Sequence, residues 1–203
     1  MTGKGSRTRE RILEAAHDLV MRQGYAATSI DQILEAAGIT KGAFFYHFKS
    51  KASLAQALVE RYAAFEEGMM RDILARAEKL SADPLQQVLI VVGLMEELFE
   101  GLEGPHPGCL FASYCYQNEL LDEDVKQVCT TGMLEWRRVL VSRLEAAAER
   151  YPPRLAPDYR SLADMLTVVL EGAFVVARTL GDSRVIVEQL RHYRSYLELL
   201  FAR

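Results

Sequence analysis

The sequence predicts an all-helical protein, with an N-terminal three-helix domain built around a helix-turn-helix and a larger C-terminal helical domain. Two observations carry that prediction. Apolar residues recur at spacings of three and four through one segment after another, with turn residues clustered between the segments. Residues 24–51, GYAATSIDQILEAAGITKGAFFYHFKSK, read as two short helices joined by a tight turn. The expected division is 6–66 for the first domain, with the helix-turn-helix over 29–48, and 67–203 for the second.

In chain order, residues 1–5 are an expected disordered lead. Ser6 or Thr8 opens the first helix, whose stripe of Ile12, Ala15, Ala16, Leu19 and Val20 faces the motif, and Gly24 ends it. Tyr25 is expected to tuck back into the small core. Thr28 or Ser29 caps the second helix, with Asp31 placed to complete a capping box with Thr28. Ile30, Ile33, Leu34 and Ala37 form its apolar face, Gly38 stops it, and Ile39 plugs the corner. Thr40 caps the third helix, from Lys41 to about Phe48, where Phe44 and Phe48 lie four apart as an anchor. A helix-turn-helix places its second helix in the DNA major groove. Here that helix and its flank carry Lys41, Tyr46, His47, Lys49 and Lys51, while Gly42 and Ala43 keep its leading end slim. A basic, solvated hairpin with an aromatic core is the alternative for the same composition.

Ser50 caps a fourth helix expected to reach Leu80, about 45 Å long at 1.5 Å per residue. A phosphate lying at its first turn would suit both the helix end and Lys51. Asp83-Pro84 starts a fifth helix through Leu102, on which Glu96 and Glu97 read as a solvated face, with a pocket carboxylate pairing a cationic ligand as the alternative. A Pro/Gly-rich loop over 101–108 follows, then a helix from Cys109 through Leu121, and a seventh from Asp122 to about Arg150. In the eighth, Leu162, Leu166, Val169, Ala173, Val176 and Leu180 form one stripe, and Met165, Val168, Phe174, Val175 and Ala177 make further faces apolar. Gly172 and Ala173 would let another helix come close. The ninth repeats the pattern with Ile186, Leu190, Tyr193, Leu197 and Leu200, so these two helices are expected to complete the core on one side and pair with a second copy on the other.

Charge is unevenly placed. The net charge is −4, but residues 1–51 carry +3 and the remainder −7, so an acidic pI of 5.7 does not exclude a nucleic-acid partner. Cys109, Cys115 and Cys129 have no metal-ligand spacing and fit a reducing cytoplasm. The polar, basic N-terminus lacks the apolar core of a signal peptide, and the longest apolar stretch, 162–180, is broken by Asp164, Glu171 and Arg178. No P-loop, dinucleotide fingerprint, metal cluster or nucleophile–histidine arrangement is present, so neither a catalyst nor a cofactor is expected.

The run TSIDQILEAAGITKGAFFYHFKSK resembles the N-terminal signature of the TetR family of bacterial transcriptional regulators, closely over residues 8 to about 60. The resemblance implies an all-helical homodimer that binds a palindromic DNA operator, usually as a repressor, and responds to a small-molecule effector. By position, Thr28, Thr40, Lys41, Gly42, Tyr46, His47 and Lys51 match family DNA contacts. Phe45 stands where the family usually has tyrosine; it can touch a thymine methyl but cannot donate to phosphate, which leaves Tyr46 and His47 as phosphate donors. For a mainly apolar effector pocket within helices five to eight, Met95, Phe99, Phe111, Tyr114, Cys115, Trp136 and Phe174 are the candidates, because they are bulky or polarisable and fall on inward stripes. Cys109, in Pro107-Gly108-Cys109, is expected in the first turn of a helix, where the dipole favours thiolate. A similar Gly-Cys-Leu occurs in TetR-like regulators, including ones that sense electrophiles, but a free cysteine is most often a small buried hydrophobe, and packing is the first reading here. An all-helical cytoplasmic binding protein or cysteine-dependent enzyme with a structural helix-turn-helix is the alternative.

Overall fold

The computed structural model describes residues 4–102, 106–116 and 122–202. Among them run nine helices: α1 (Lys4–Gln23), α2 (Ile30–Ala37), α3 (Lys41–His47), α4 (Lys51–Leu80), α5 (Pro84–Phe99), α6 (Leu110–Cys115), α7 (Glu123–Arg150), α8 (Tyr159–Leu180) and α9 (Arg184–Leu200). The all-helical architecture is the expected one. The chain forms two compact units, Met1–Phe65 with Gly108–Thr131, and Glu66–Pro107 with Gly132–Arg203. Both α4 and α7 therefore contribute residues to each.

The first unit is closed by the inner face of α1. Ile12, Leu13, Ala16, Val20 and Met21 are buried against Ile33, Phe44, Phe48, Leu54 and Leu58, and Leu110, Phe111 and Tyr114 of α6 belong to the same core. Each fully buried side chain of this size contributes about 1.5–3 kcal/mol. The inner face of α1 is rotated from the expected stripe, with Leu13 and Met21 inside and Ala15 and Leu19 only half-buried. The helix also starts earlier than expected, at Lys4; residues 1–3 of the expected lead lie outside the described residues. Tyr25 does tuck inward, its ring 5.3 Å from that of Tyr114, while Tyr62 meets Phe111 edge-on at 5.0 Å.

In the second unit α9 packs on both α5 and α8. Ile186, Leu190, Tyr193, Leu197 and Leu200 are buried, and the Tyr193 hydroxyl donates to the carbonyl of Leu162 at 3.0 Å. α5 stops at Phe99 rather than Leu102, because Glu100 is extended and Gly101 takes positive φ. α6 spans six residues; the rest of its expected length, 117–121, lies outside the described residues. Glu96 does not belong to a solvated face. It is 7% exposed, with Arg191 Nε at 3.3 Å and Arg194 Nη1 at 3.9 Å, whereas Glu97 is exposed and meets Arg76 at 3.6 Å. On α8, Ala173 faces the core at 2% exposed, so Gly172 and not Ala173 is the small residue on the outer side.

Asp83 shows how one capping residue ties distant segments. Its Oδ1 accepts from the backbone N–H of Leu85 and Gln86, Pro84 takes the first helical position, and Oδ2 accepts from the Tyr151 hydroxyl at 2.5 Å with Arg150 at 3.2 Å. The Tyr151 hydrogen bond, with the capping bonds and Arg150, holds this carboxyl below the ordinary aspartate value. A depressed carboxyl contributes stability that is complete above about pH 4, the unfolded value, and lost as pH falls through the folded value. Asp83→Asn keeps a capping side chain and loses the charge. Its urea midpoint is therefore expected to change less than wild type between pH 5 and pH 3; equal acid slopes would remove Asp83 from the account.

Candidate nucleic-acid interface

The site is assembled from short-range bonds that hold α2 and α3 at a fixed angle. Ser29 is the N-cap of α2: its hydroxyl accepts from Gln32 N–H at 3.2 Å, and Gln32 Oε1 accepts from Ser29 N–H at 2.8 Å. The capping box thus uses Ser29 and Gln32, not Thr28 and Asp31. Thr28 is 1% exposed, with its hydroxyl donating inward to the Gly24 carbonyl at 2.8 Å. Gly38 ends α2 at φ 60°, and Ile39 N–H returns to the Leu34 carbonyl at 3.0 Å. Arg11 of α1 donates Nη2 to the carbonyl of Ala37 and lies 3.4 Å from that of Gly38. A cation on the last carbonyls of α2 complements its dipole and locks the turn to α1.

Thr40 caps α3 through its hydroxyl, which accepts from Ala43 N–H at 3.3 Å. One face of α3 is closed. Phe44 is 0% and Phe48 4% exposed, their rings 5.9 Å apart, and the Arg9 guanidinium lies 5.3 Å over Phe48. The opposite face is open, with Thr40, Lys41, Gly42 and Lys49 exposed, Phe45 44% exposed and Tyr46 83% exposed. His47 is half-buried and edge-on to Tyr46 at 4.9 Å. A Cβ placed on Gly5 would sit 3.9 Å from His47 Cε1, so the first turn of α1 runs beside the end of α3.

Lys51 has a second task besides carrying charge. Its Nζ donates to the Tyr25 carbonyl at 2.6 Å and lies 3.4 Å from that of Ala26 and 4.2 Å over the Tyr25 ring. Partial burial lowers its pKa from the ordinary lysine value. The start of α4, capped as expected by Ser50 through Ser53 N–H at 3.1 Å, is thereby tied to the loop that precedes α2. The S-x-x-Q spacing of Ser29 and Gln32 is a readable capping signal. Arg9 and Arg11 gave none, since their partners lie 39 and 26 residues away.

The expected effector residues fall into both units. Phe111 and Tyr114 are buried in the first, where Cys109 packs at the edge of the core and Cys115 is exposed. Cys109 is the N-cap of a helix only six residues long, one position before the expected first turn. Cys129 is buried, and burial pushes its thiol up to about 11. In the second unit Met95 is buried, Trp136 half-buried, and Phe99 and Phe174 are in ring contact at 5.5 Å.

A fixed pair of short helices, one turned outward with cations, a naked glycine backbone and exposed aromatic rings, defines a helix-turn-helix DNA-binding protein. The family profile described as bacterial regulatory proteins, tetR family, matches residues 12–58. The HTH-type transcriptional regulator LmrA of Bacillus subtilis is 30% identical over 180 residues, 87% of this chain and 89% of that protein. The uncharacterized HTH-type transcriptional regulator YerO of the same organism is 38% identical over 81 residues, 40% of this chain and 27% of that protein. The crystal structure of a TetR-family regulator from Agrobacterium tumefaciens matches with a TM-score of 0.80 at 26% identity, covering 98% of this chain and 100% of that one. The chain belongs to the TetR family. It is a DNA-binding transcriptional regulator and not an enzyme. Among the described residues no helix is long and apolar enough to cross a membrane.

Proposed function

We propose that this regulator is a repressor, binding a palindromic operator as a two-fold dimer and released from it by a small-molecule effector. The observation that carries the reading is the two-sided α3, with Phe44 and Phe48 buried behind Lys41, Gly42, Phe45 and Tyr46. In this reading Lys41, Tyr46 and His47 donate to phosphates, Thr40 and Gly42 bring backbone close to the duplex, and Phe45 meets a thymine methyl. Lys51 holds the Tyr25 carbonyl and offers a remaining N–H to phosphate, while buried Thr28 supports the turn instead of meeting DNA. The DNA-reading domain is 6–66; effector binding and dimerisation belong to 67–203. Support for the dimer comes from α8, where Met165, Val168, Gly172, Val175 and Val176 make an exposed apolar stripe at spacings of three and four. The effector site draws on Met95, Phe99, Trp136 and Phe174.

Gly42 offers the sharpest test. A Cβ there would meet nothing within 4 Å inside the chain, and its φ is not positive, so no internal contact requires glycine. Glycine in a helix costs about 0.5–1 kcal/mol relative to alanine. Gly42→Ala is therefore expected to raise thermal stability slightly while weakening operator binding about tenfold, since the added methyl meets the duplex. The measurement is a fluorescence-anisotropy titration with duplex from the protein's own promoter region, at two salt concentrations. Affinity should fall steeply with salt, by about 0.9 in log–log slope per phosphate contacted. A salt-insensitive wild type, or an unaltered Gly42→Ala affinity, would remove α3 from the interface.

A further inference from the structure

Three aromatic rings in the second unit are in mutual contact, so the place that one of them occupies is a slot walled by the other two. Phe99 closes α5 and Phe174 lies on α8, their centroids 5.5 Å apart at 66°. The third ring belongs to His106, in a segment without regular secondary structure. Its imidazole stacks on Phe174 at 4.5 Å and 22°, and meets Phe99 nearly perpendicular at 5.3 Å and 88°. Two of the rings thus stand on helices and touch each other, and the third, in contact with both, is carried outside the helices.

Side chains of a closed core are covered on every side, with few voids. Here Phe99 and His106 stay half-buried, so the slot reaches the surface. On the α5 side, Ser183 Oγ donates to the Leu102 carbonyl at 3.2 Å. On the other side of His106, Gly108 has φ 102°, a backbone state that glycine adopts without strain. Burial lowers the His106 pKa, so at neutral pH the imidazole sits in the slot as an uncharged planar ring.

We propose that the Phe99–His106–Phe174 cluster is the effector's recognition subsite, that it takes a flat uncharged aromatic ring system, and that His106 fills the slot until the ligand displaces it. The proposal rests on the effector-released reading above. Parallel stacking on Phe174 with an edge-to-face neighbour selects for planarity, because aromatic pairs favour offset-stacked and T-shaped geometries. A fused bicyclic ring covers more of Phe174 than an imidazole does. An aliphatic ring of equal size presents no flat face, and a charged one loses hydration on entering.

The test uses the full-length protein and 1-naphthol, followed by proton NMR of the four histidines, with His106→Gln assigning the relevant resonances. Stacking on Phe174 places the His106 ring protons in its ring current. Saturating 1-naphthol is expected to move them toward the values of an exposed histidine and leave the other three in place. Phe174→Leu should weaken 1-naphthol at least tenfold, and the saturated analogue decahydro-1-naphthol should bind at least tenfold more weakly than 1-naphthol. Because Phe174→Leu touches the core, His106→Gln is the second variant: with the competing ring gone, 1-naphthol should bind about threefold or more tightly. Unmoved His106 resonances, or equal affinity for the saturated analogue, overturn the proposal. Operator affinity is read in parallel. Binding in the slot without loss of DNA affinity leaves the subsite standing and refutes release through it; release by other compounds with His106 unmoved does the reverse.

Discussion

Val168→Arg is expected to convert the protein to a monomer and to weaken operator binding by at least a hundredfold. Val168 is 67% exposed on α8, so the substitution leaves the subunit core intact. In the proposed dimer it would bury one guanidinium per subunit without a partner, and an unpaired buried charge is among the costliest defects an interface can carry. The DNA consequence follows from linkage. Two reading heads joined in one dimer bind a palindrome with an overall avidity that can exceed either head's own affinity by a factor of about 10² to 10⁴. Sedimentation should show the monomer mass with unchanged circular dichroism. Gly172→Arg, on the same outer face, should behave alike, since a Cβ there meets nothing within 4 Å inside the chain. A Val168→Arg protein that remains dimeric places the interface elsewhere.

Glu96→Ala is expected to cost about 2 kcal/mol, below the 3–5 kcal/mol typical of a broken buried pair because Arg191 and Arg194 remain roughly half-exposed and can rehydrate. The Glu96 carboxylate is the point at which two guanidiniums of α9 meet α5, with Arg191 also reaching Glu100 at 2.7 Å. Removing it leaves like charges one turn apart and opens a void. For a chain of this length the melting temperature should fall by about 4–8 °C. Glu97→Ala is the control: its pair with Arg76 is solvent-exposed on both sides, and exposed pairs of this kind contribute about 1 kcal/mol or less. Equal losses from the two substitutions would show that Glu96 acts as a surface charge after all.

That neighbouring glutamates differ so much marks the limit of what a linear sequence contains. The helix-turn-helix was legible because nearly every interaction that shapes it closes within a few residues. Ser29 bonds to Gln32, Thr40 to Ala43, Ile39 to Leu34, and the Phe44 ring lies tilted against that of Phe48. Such bonds depend on residue type and spacing, and both can be read directly. The helix ends at Gly24, Leu80 and Leu180 were legible on the same grounds.

What the tertiary structure alone decided are questions of rotation and of distant partners. Adjacent helical residues point 100° apart, so on a helix as apolar as α8 the sequence could not say whether Gly172 or Ala173 faces inward. Packing within the second unit decided it, turning Ala173 in and Gly172 out. The burial of Glu96 depends on arginines 95 and 98 positions away, and the hold on α2 depends on Arg11, 26 positions before its last residue. The placement of Phe111 and Tyr114 beside Tyr62 and Tyr25, and of His106 against both Phe99 and Phe174, is of the same kind. Local hydrogen bonds and periodicity specify where a helix begins and ends, whereas which of its faces is buried is set by the surfaces that the rest of the chain brings to it.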